Sequence, residues 1–223
     1  MSLNNGSKLM AVDTDDVLVH ISTPWVERAR RHPEIARYIP DHEPDALGAT
    51  LIDRPQPYIQ QWLIDVCGMP KALQDELVLI YRGDPSFYDD LPPTLFCKGI
   101  IGALARPGAV AHVHVLTHNY SNSDPCVESK DRWLRKHLGG PEKVTIHHIE
   151  AGQKKSDVLR QFCPEPDAFV DDSLKNVIDV LLNDAIRPHE IIIPRMGHNA
   201  VTPEIEQLAF LRRIKISYYE KVL

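Results

Sequence analysis

Leu9-Met10-Ala11-Val12-Asp13-Thr14-Asp15-Asp16-Val17-Leu18 is the stretch on which the reading of this chain turns. An apolar run that predicts a buried strand stops abruptly at Asp13, Asp15 and Asp16. Carboxylates gathered at the end of a strand repel one another and lose hydration, so a compensating group is needed. A hard divalent cation prefers oxygen ligands and meets that need. In an open α/β sheet the same place is where ligands sit, in the crevice beyond the strand ends. The competing reading is a helix N-cap, where Asp is favoured and acidic groups suit the positive end of the dipole. The rest of the chain decides between them.

The 223 residues suffice for one good core, or for a core with a smaller inserted lobe. A 43% hydrophobic and 25% charged composition is that of an ordinary globular protein. The net charge of −6 and the lack of a basic block argue against nucleic-acid binding through bulk electrostatics. No apolar run has the length to span a bilayer, which argues against a membrane role. Met1 to Lys8 is polar and reads as a disordered lead with no signal-peptide core. Cys67, Cys97, Cys126 and Cys163 are widely spaced and form no C-x-x-C pair, so neither a zinc site nor a disulfide framework is expected. Reduced thiols in a cytoplasmic setting are the simpler expectation. The oligomeric state, a homo-oligomer included, is left open.

From Ala109 onward short strands and helices alternate. Val110 to Leu116 predicts a strand ending at Thr117-His118-Asn119. An amphipathic helix over Val127 to Leu138 is stopped by Gly139-Gly140-Pro141. Val144 to Ile149 predicts a strand, and Ser156 to Phe162 a helix capped by Ser156. Ala168-Phe169-Val170 is a short strand running into Asp171-Asp172. Leu174 to Ala185 is helical, Ile191 to Ile193 is a strand ended by Pro194, and Pro203 to Leu211 is a final helix. This alternation implies a doubly wound parallel α/β sheet covered on both faces. The stretch from 20 to 106 breaks the pattern. Its apolar periodic runs (Tyr58 to Val66, Ala72 to Ile80, Leu95 to Leu104) lie between proline-rich turns at Pro40, Pro44, Pro55 and Pro57, and it predicts no strand. We expect a core of residues 8–19 and 107–223 and a mostly helical insertion, 20–106, whose last helix packs back on the sheet.

Four element boundaries carry complementary polar groups: Asp13 and Asp15, Thr117, Lys155, and Asp171-Asp172. In a parallel sheet all four fall along one edge and can converge. The set resembles the haloacid dehalogenase-like hydrolase superfamily, over about residues 8–19 and 108–195 and in the family's order. Asp13-Thr14-Asp15-Asp16-Val17 matches its strand ending in D-x-D-x-[TV], and Val115-Leu116-Thr117 its strand ending in Thr or Ser. Lys155-Ser156 matches its lysine at a helix start, and Phe169-Val170-Asp171-Asp172 its strand ending in paired acids. One departure is Asp16, where many members carry Gly. The insertion then resembles the helical cap of this superfamily.

The resemblance implies a Mg²⁺-dependent hydrolase of a small phosphorylated substrate. Asp13 would attack phosphorus and Asp15 act as general acid and base. Thr117, with the backbone N–H of His118, and Lys155 would bind the phosphate. Asp13, Asp15 through its carbonyl, and Asp171 or Asp172 would hold the metal. Lys154 rivals Lys155 on sequence grounds. Asp15 favours phosphate transfer, because members that dehalogenate carbon lack a carboxylate there. A 5′-nucleotidase-like enzyme, a phosphotransferase and a non-catalytic binding protein of the same fold are the alternatives. A response-regulator receiver is disfavoured by the long insertion. Taken singly, each matched residue has an ordinary explanation as a strand former, a solvated lysine or a helix cap. His112 and His114 share a strand face and read as packing rather than metal-binding groups. Trp25, Tyr58, Trp62, Tyr81, Phe87 and Tyr88 read as packing aromatics, and Arg54 and Arg82 as candidate contacts to an anionic substrate.

Overall fold

The computed structural model describes residues 8–41 and 44–220, so the expected polar lead before Lys8 lies outside the described residues. Six parallel strands form the sheet: β1 (Lys8–Val12), β2 (Val110–His118), β3 (Val144–Ile149), β4 (Ala168–Val170), β5 (Glu190–Arg195) and β6 (Lys215–Glu220). Their order is β3-β2-β1-β4-β5-β6. That is the doubly wound arrangement, with the chain reversing its direction of travel between β1 and β4. The expectation of a doubly wound parallel sheet holds.

β1 is central, and its alternation explains why it is apolar throughout. Met10 and Val12 enter one core cluster while Ala11 enters the other, on the opposite face. Helices α1 (Ser22–Ala29), α2 (Pro44–Asp53), α3 (Ile59–Asp65), α4 (Gln74–Arg82) and α5 (Leu95–Leu104) occupy the chain between β1 and β2. Among the described residues this stretch adds no strand to the sheet. α5 packs on β2 and on α6 (Pro125–Leu138), while α1 packs on α2 and α4. The remaining helices, α7 (Lys155–Phe162), α8 (Leu174–Leu182) and α9 (Pro203–Leu211), connect the later strands. No helix among the described residues is long and apolar enough to cross a membrane.

Several local expectations change. β5 continues through Pro194 rather than ending there. β4 pairs with β5 only as far as Ile192, so Pro194 has only β6 alongside, where a missing N–H is tolerated. α8 ends at Leu182, before Ala185. Ser156 does not cap α7: the helix starts at Lys155, and the Ser156 amide instead donates to the Asp179 carboxylate of α8 at 3.3 Å. β6, where the sequence reading places no element, extends the sheet along β5.

Candidate active site

The site is built at the point where the chain reverses direction. Val12 pairs with Val115 on one side and Val170 on the other. Asp13 and Asp171, each the next residue along, therefore leave the sheet at the same level. The Asp13 amide still donates to the Val170 carbonyl at 2.9 Å. Beyond it the chain turns tightly, with the Thr14 carbonyl accepting from the amides of Leu18 and Val19 at 2.9 and 3.1 Å. Asp16 sits in this turn at φ +57°. That left-handed conformation suits glycine and, among other residues, Asp and Asn best, which accounts for the departure at this position. Its carboxylate accepts from Ser22 Oγ at 2.5 Å and meets His20 Nδ1 at 2.8 Å, tying the turn to the start of α1.

Lys155 lies at the centre. It is 1% exposed, and its Nζ meets Asp13 Oδ1 at 2.6 Å and Asp171 Oδ2 at 2.8 Å. Burial lowers its pKa, but the two carboxylates outweigh burial and hold the ammonium charged well above its ordinary range. Lys154, its rival in sequence, is exposed and pairs with Asp179 at 3.2 Å. Asp171 is fully buried and also accepts from the Ser173 amide and from Asn176. Asp13 accepts from the Thr14 amide on the same Oδ1 that meets Lys155. Burial pushes the Asp13 carboxyl up, against the pull of Lys155.

Asp13, Asp171 and Asp172 each offer an oxygen within 4.8 Å of the others. The Lys155 ammonium pairs with Asp13 and Asp171, and the Arg54 guanidinium acts electrostatically on Asp172. The all-oxygen donor set of the three carboxylates fits a hard divalent ion such as Mg²⁺. The Asp15 carboxylate is outside this cluster. It accepts from Tyr88 Oη on Oδ1 at 2.9 Å and from Lys130 Nζ on Oδ2 at 3.0 Å. Burial raises its pKa, Lys130 lowers it and Asp13 raises it further.

Sequence reasoning passed over Lys130 and gave Tyr88 a packing role alone. Lys130 is 2% exposed and also donates to Thr117 Oγ1 at 3.0 Å and to Asn119 Oδ1 at 3.3 Å. A signal for it exists in the sequence. On α6 it falls three or four residues from Cys126, Val127, Trp133 and Leu134, all buried, so a lysine interrupts the apolar stripe. Tyr88, read as a packing aromatic, is fully buried as expected, yet its hydroxyl is directed at Asp15.

Thr117 is fully buried, with its hydroxyl engaged by Lys130, while its neighbours His118 and Asn119 line the crevice. His118 Nε2 lies 3.2 Å from the Gln153 carbonyl. Arg54 lines the crevice with its guanidinium donating to the Leu51 and Pro57 carbonyls. Arg82 is committed to Asp124 through paired contacts of 2.8 and 2.7 Å. The crevice occupies about 850 Å³ between the strand ends and the helices that follow β1. His112 and His114 lie elsewhere, on the face where His114 Nδ1 meets His147 Nε2 at 3.0 Å.

No protein-family model matches the sequence, and no curated protein matches it. Solved structures do. A Clostridium difficile protein provisionally named a phosphatase superimposes with a TM-score of 0.59 at 14% identity, over 97% of this chain and 95% of its own. A HAD-superfamily hydrolase, subfamily IA, variant 1, from Geobacter sulfurreducens PCA superimposes with a TM-score of 0.51 at 16% identity, over 95% and 100%. At such identities the likeness is one of fold. The chain thus has the haloacid dehalogenase-like hydrolase fold, with the strand order and switch-point crevice described above.

Proposed function

We propose that this protein is a Mg²⁺-dependent phosphohydrolase that acts on a small phosphorylated metabolite through an aspartyl-phosphate on Asp13. One observation carries the reading: a buried lysine bridges Asp13 and Asp171, with Asp172 in the same cluster, at the switch point of the sheet. Phosphate monoesters resist attack because nucleophile and substrate are both anionic. Mg²⁺ held by Asp13, Asp171 and Asp172 would screen that repulsion and orient the phosphoryl group.

The chain's own groups would do the rest. An Asp13 carboxylate oxygen bonds to phosphorus as the ester P–O bond breaks in line. Asp15 gives its proton to the departing oxygen. In the second half a water attacks phosphorus, Asp15 takes its proton, and the bond to Asp13 breaks to release inorganic phosphate. A carboxyl whose pKa is raised by burial keeps its proton to higher pH than an exposed one, which suits a general acid. Lys155 balances charge on the nucleophile, and Lys130 with Tyr88 fixes the Asp15 side chain between two donors. The helices between β1 and β2 supply Trp25 and Tyr81 to the crevice wall and would serve as the cap that excludes water.

The test is phosphate release from a panel of monoesters with Mg²⁺, repeated with EDTA, alongside halide release from 2-haloacids. Phosphate release that needs Mg²⁺ and is abolished in a folded Asp13→Asn variant supports the reading. Halide release without phosphate release, or full turnover by Asp13→Asn, overturns it.

A further inference from the structure

Asp13, Asp15 and Asp172 line only part of the crevice, while Lys155 and Asp171 are buried out of it. A phosphoryl group fills a small part of its 850 Å³, so the remainder is shaped for the organic part of the substrate. That part of the wall is aromatic. Tyr120 follows His118 and Asn119 on the loop after β2, directly beside the place proposed for the phosphoryl group. Tyr58 precedes the first turn of α3. Both line the crevice and both are exposed, at 45% and 55%.

Tyr120 is held in place from behind. The Arg82 guanidinium lies 4.7 Å from its ring centroid, and Arg82 is itself fixed by Asp124. The Tyr81 ring meets it edge-on at 6.5 Å, and Gln60 Nε2 donates to its hydroxyl at 3.3 Å. A ring backed by a guanidinium, held at its edge and still open to the crevice is a pre-organised stacking surface. Gln60, Gln61 and Gln74 line the same cavity and offer amide donors and acceptors. A heteroaromatic edge carries ring nitrogens and exocyclic groups that can pair with such amides, and a hydrocarbon carries none.

We propose that the substrate is a phosphate monoester carrying a planar heteroaromatic ring, stacked on Tyr120 beside Tyr58 with its polar edge toward the glutamines. This inference rests on the phosphohydrolase reading for its phosphoryl end and deepens it at the other. The ring reaches the phosphate either through a ribose, as in a nucleoside 5′-monophosphate, or through one methylene, as in pyridoxal 5′-phosphate.

The experiment compares those two classes with ribose 5-phosphate and glycerol 3-phosphate, which lack the ring. Values of kcat/KM are measured for the native protein and for Tyr120→Ala and Tyr120→Phe. Binding of the same esters to Asp13→Asn is followed by calorimetry. Loss of one stacking contact predicts about a tenfold drop in kcat/KM for ring esters in Tyr120→Ala, carried by KM. The ring-free esters should be unaffected and Tyr120→Phe should behave as native. Preference between the two ring classes identifies the linker. Equal losses for all four esters, or preference for a ring-free ester, overturns the ring proposal while leaving the hydrolase reading intact. If neither these four nor the wider monoester panel release phosphate, the hydrolase reading fails. Calorimetry then decides the ring on its own: tighter binding of ring esters supports it, and equal or absent binding overturns it.

Discussion

Without the Lys155 ammonium, Asp13 and Asp171 would face one another in a site that water scarcely reaches. Removing one partner of a buried ion pair typically costs about 3–5 kcal/mol, because the charge left behind is uncompensated. Lys155→Met should therefore lose stability of that order in urea denaturation without Mg²⁺; a loss under about 1 kcal/mol would show that the three groups are not coupled. Lys130 makes a different prediction, since it pairs with Asp15, the proposed proton-transfer group, rather than with Asp13, the proposed nucleophile. Lys130→Met should lower kcat by roughly the 10²-fold that general acid–base help is worth at its lower end, with KM little changed. A KM effect alone would place Lys130 in substrate binding instead. Asp15, Thr117 and Asp171 were legible in sequence because each lies close to where an apolar strand stops: shortly after β1, next to last in β2 and just after β4. Lys130 was not, since nothing in a linear helix pattern says which carboxylate a lysine on the apolar stripe will meet.

At the scale of elements, β2 and β3 place His112, His114 and His147 against one another, with the His114 and His147 rings stacked at 5.3 Å. Burial, then the nearby His112 and His147, pushes His114 down to about 4. The unfolded chain holds this group near its ordinary value of about 6.5, so between the two it binds more protons than the folded chain. The stability contribution is thus complete above about 6.5 and is lost as pH falls toward about 4. Urea midpoints measured across that range should fall with acid, and His114→Gln should flatten the slope. An unchanged slope in the variant would assign the acid sensitivity to other groups. Element ends were the least legible feature. The start of α7 is set by Asp179 from α8, and the passage of β5 through Pro194 by the shortness of β4; both are contacts with distant chain.

At the scale of the whole molecule, the proposed metal site joins residues after β1 and β4, on opposite sides of the reversal in the chain. An ion bound there acts as a clasp on the folded state alone. At a hundred times its dissociation constant Mg²⁺ should add about 2.7 kcal/mol of stability. Thermal unfolding with Mg²⁺ and with EDTA measures this, and Asp172→Asn should reduce the difference. A difference that survives in both Asp13→Asn and Asp172→Asn would mean the ion binds elsewhere.

The sequence by itself determined the α/β alternation, the helical stretch after β1 and the identity of Asp13, Asp15, Thr117, Lys155, Asp171 and Asp172 as boundary residues. Those readings depend on local periodicity and on where apolar runs stop, and both are written along the chain. Only the tertiary structure decided that Lys155 rather than Lys154 bridges two carboxylates, that Lys130 and Tyr88 hold Asp15, and that Tyr120 stands against Arg82. Each joins segments far apart in sequence, and such distances become short only when the sheet's strand order has brought their elements together.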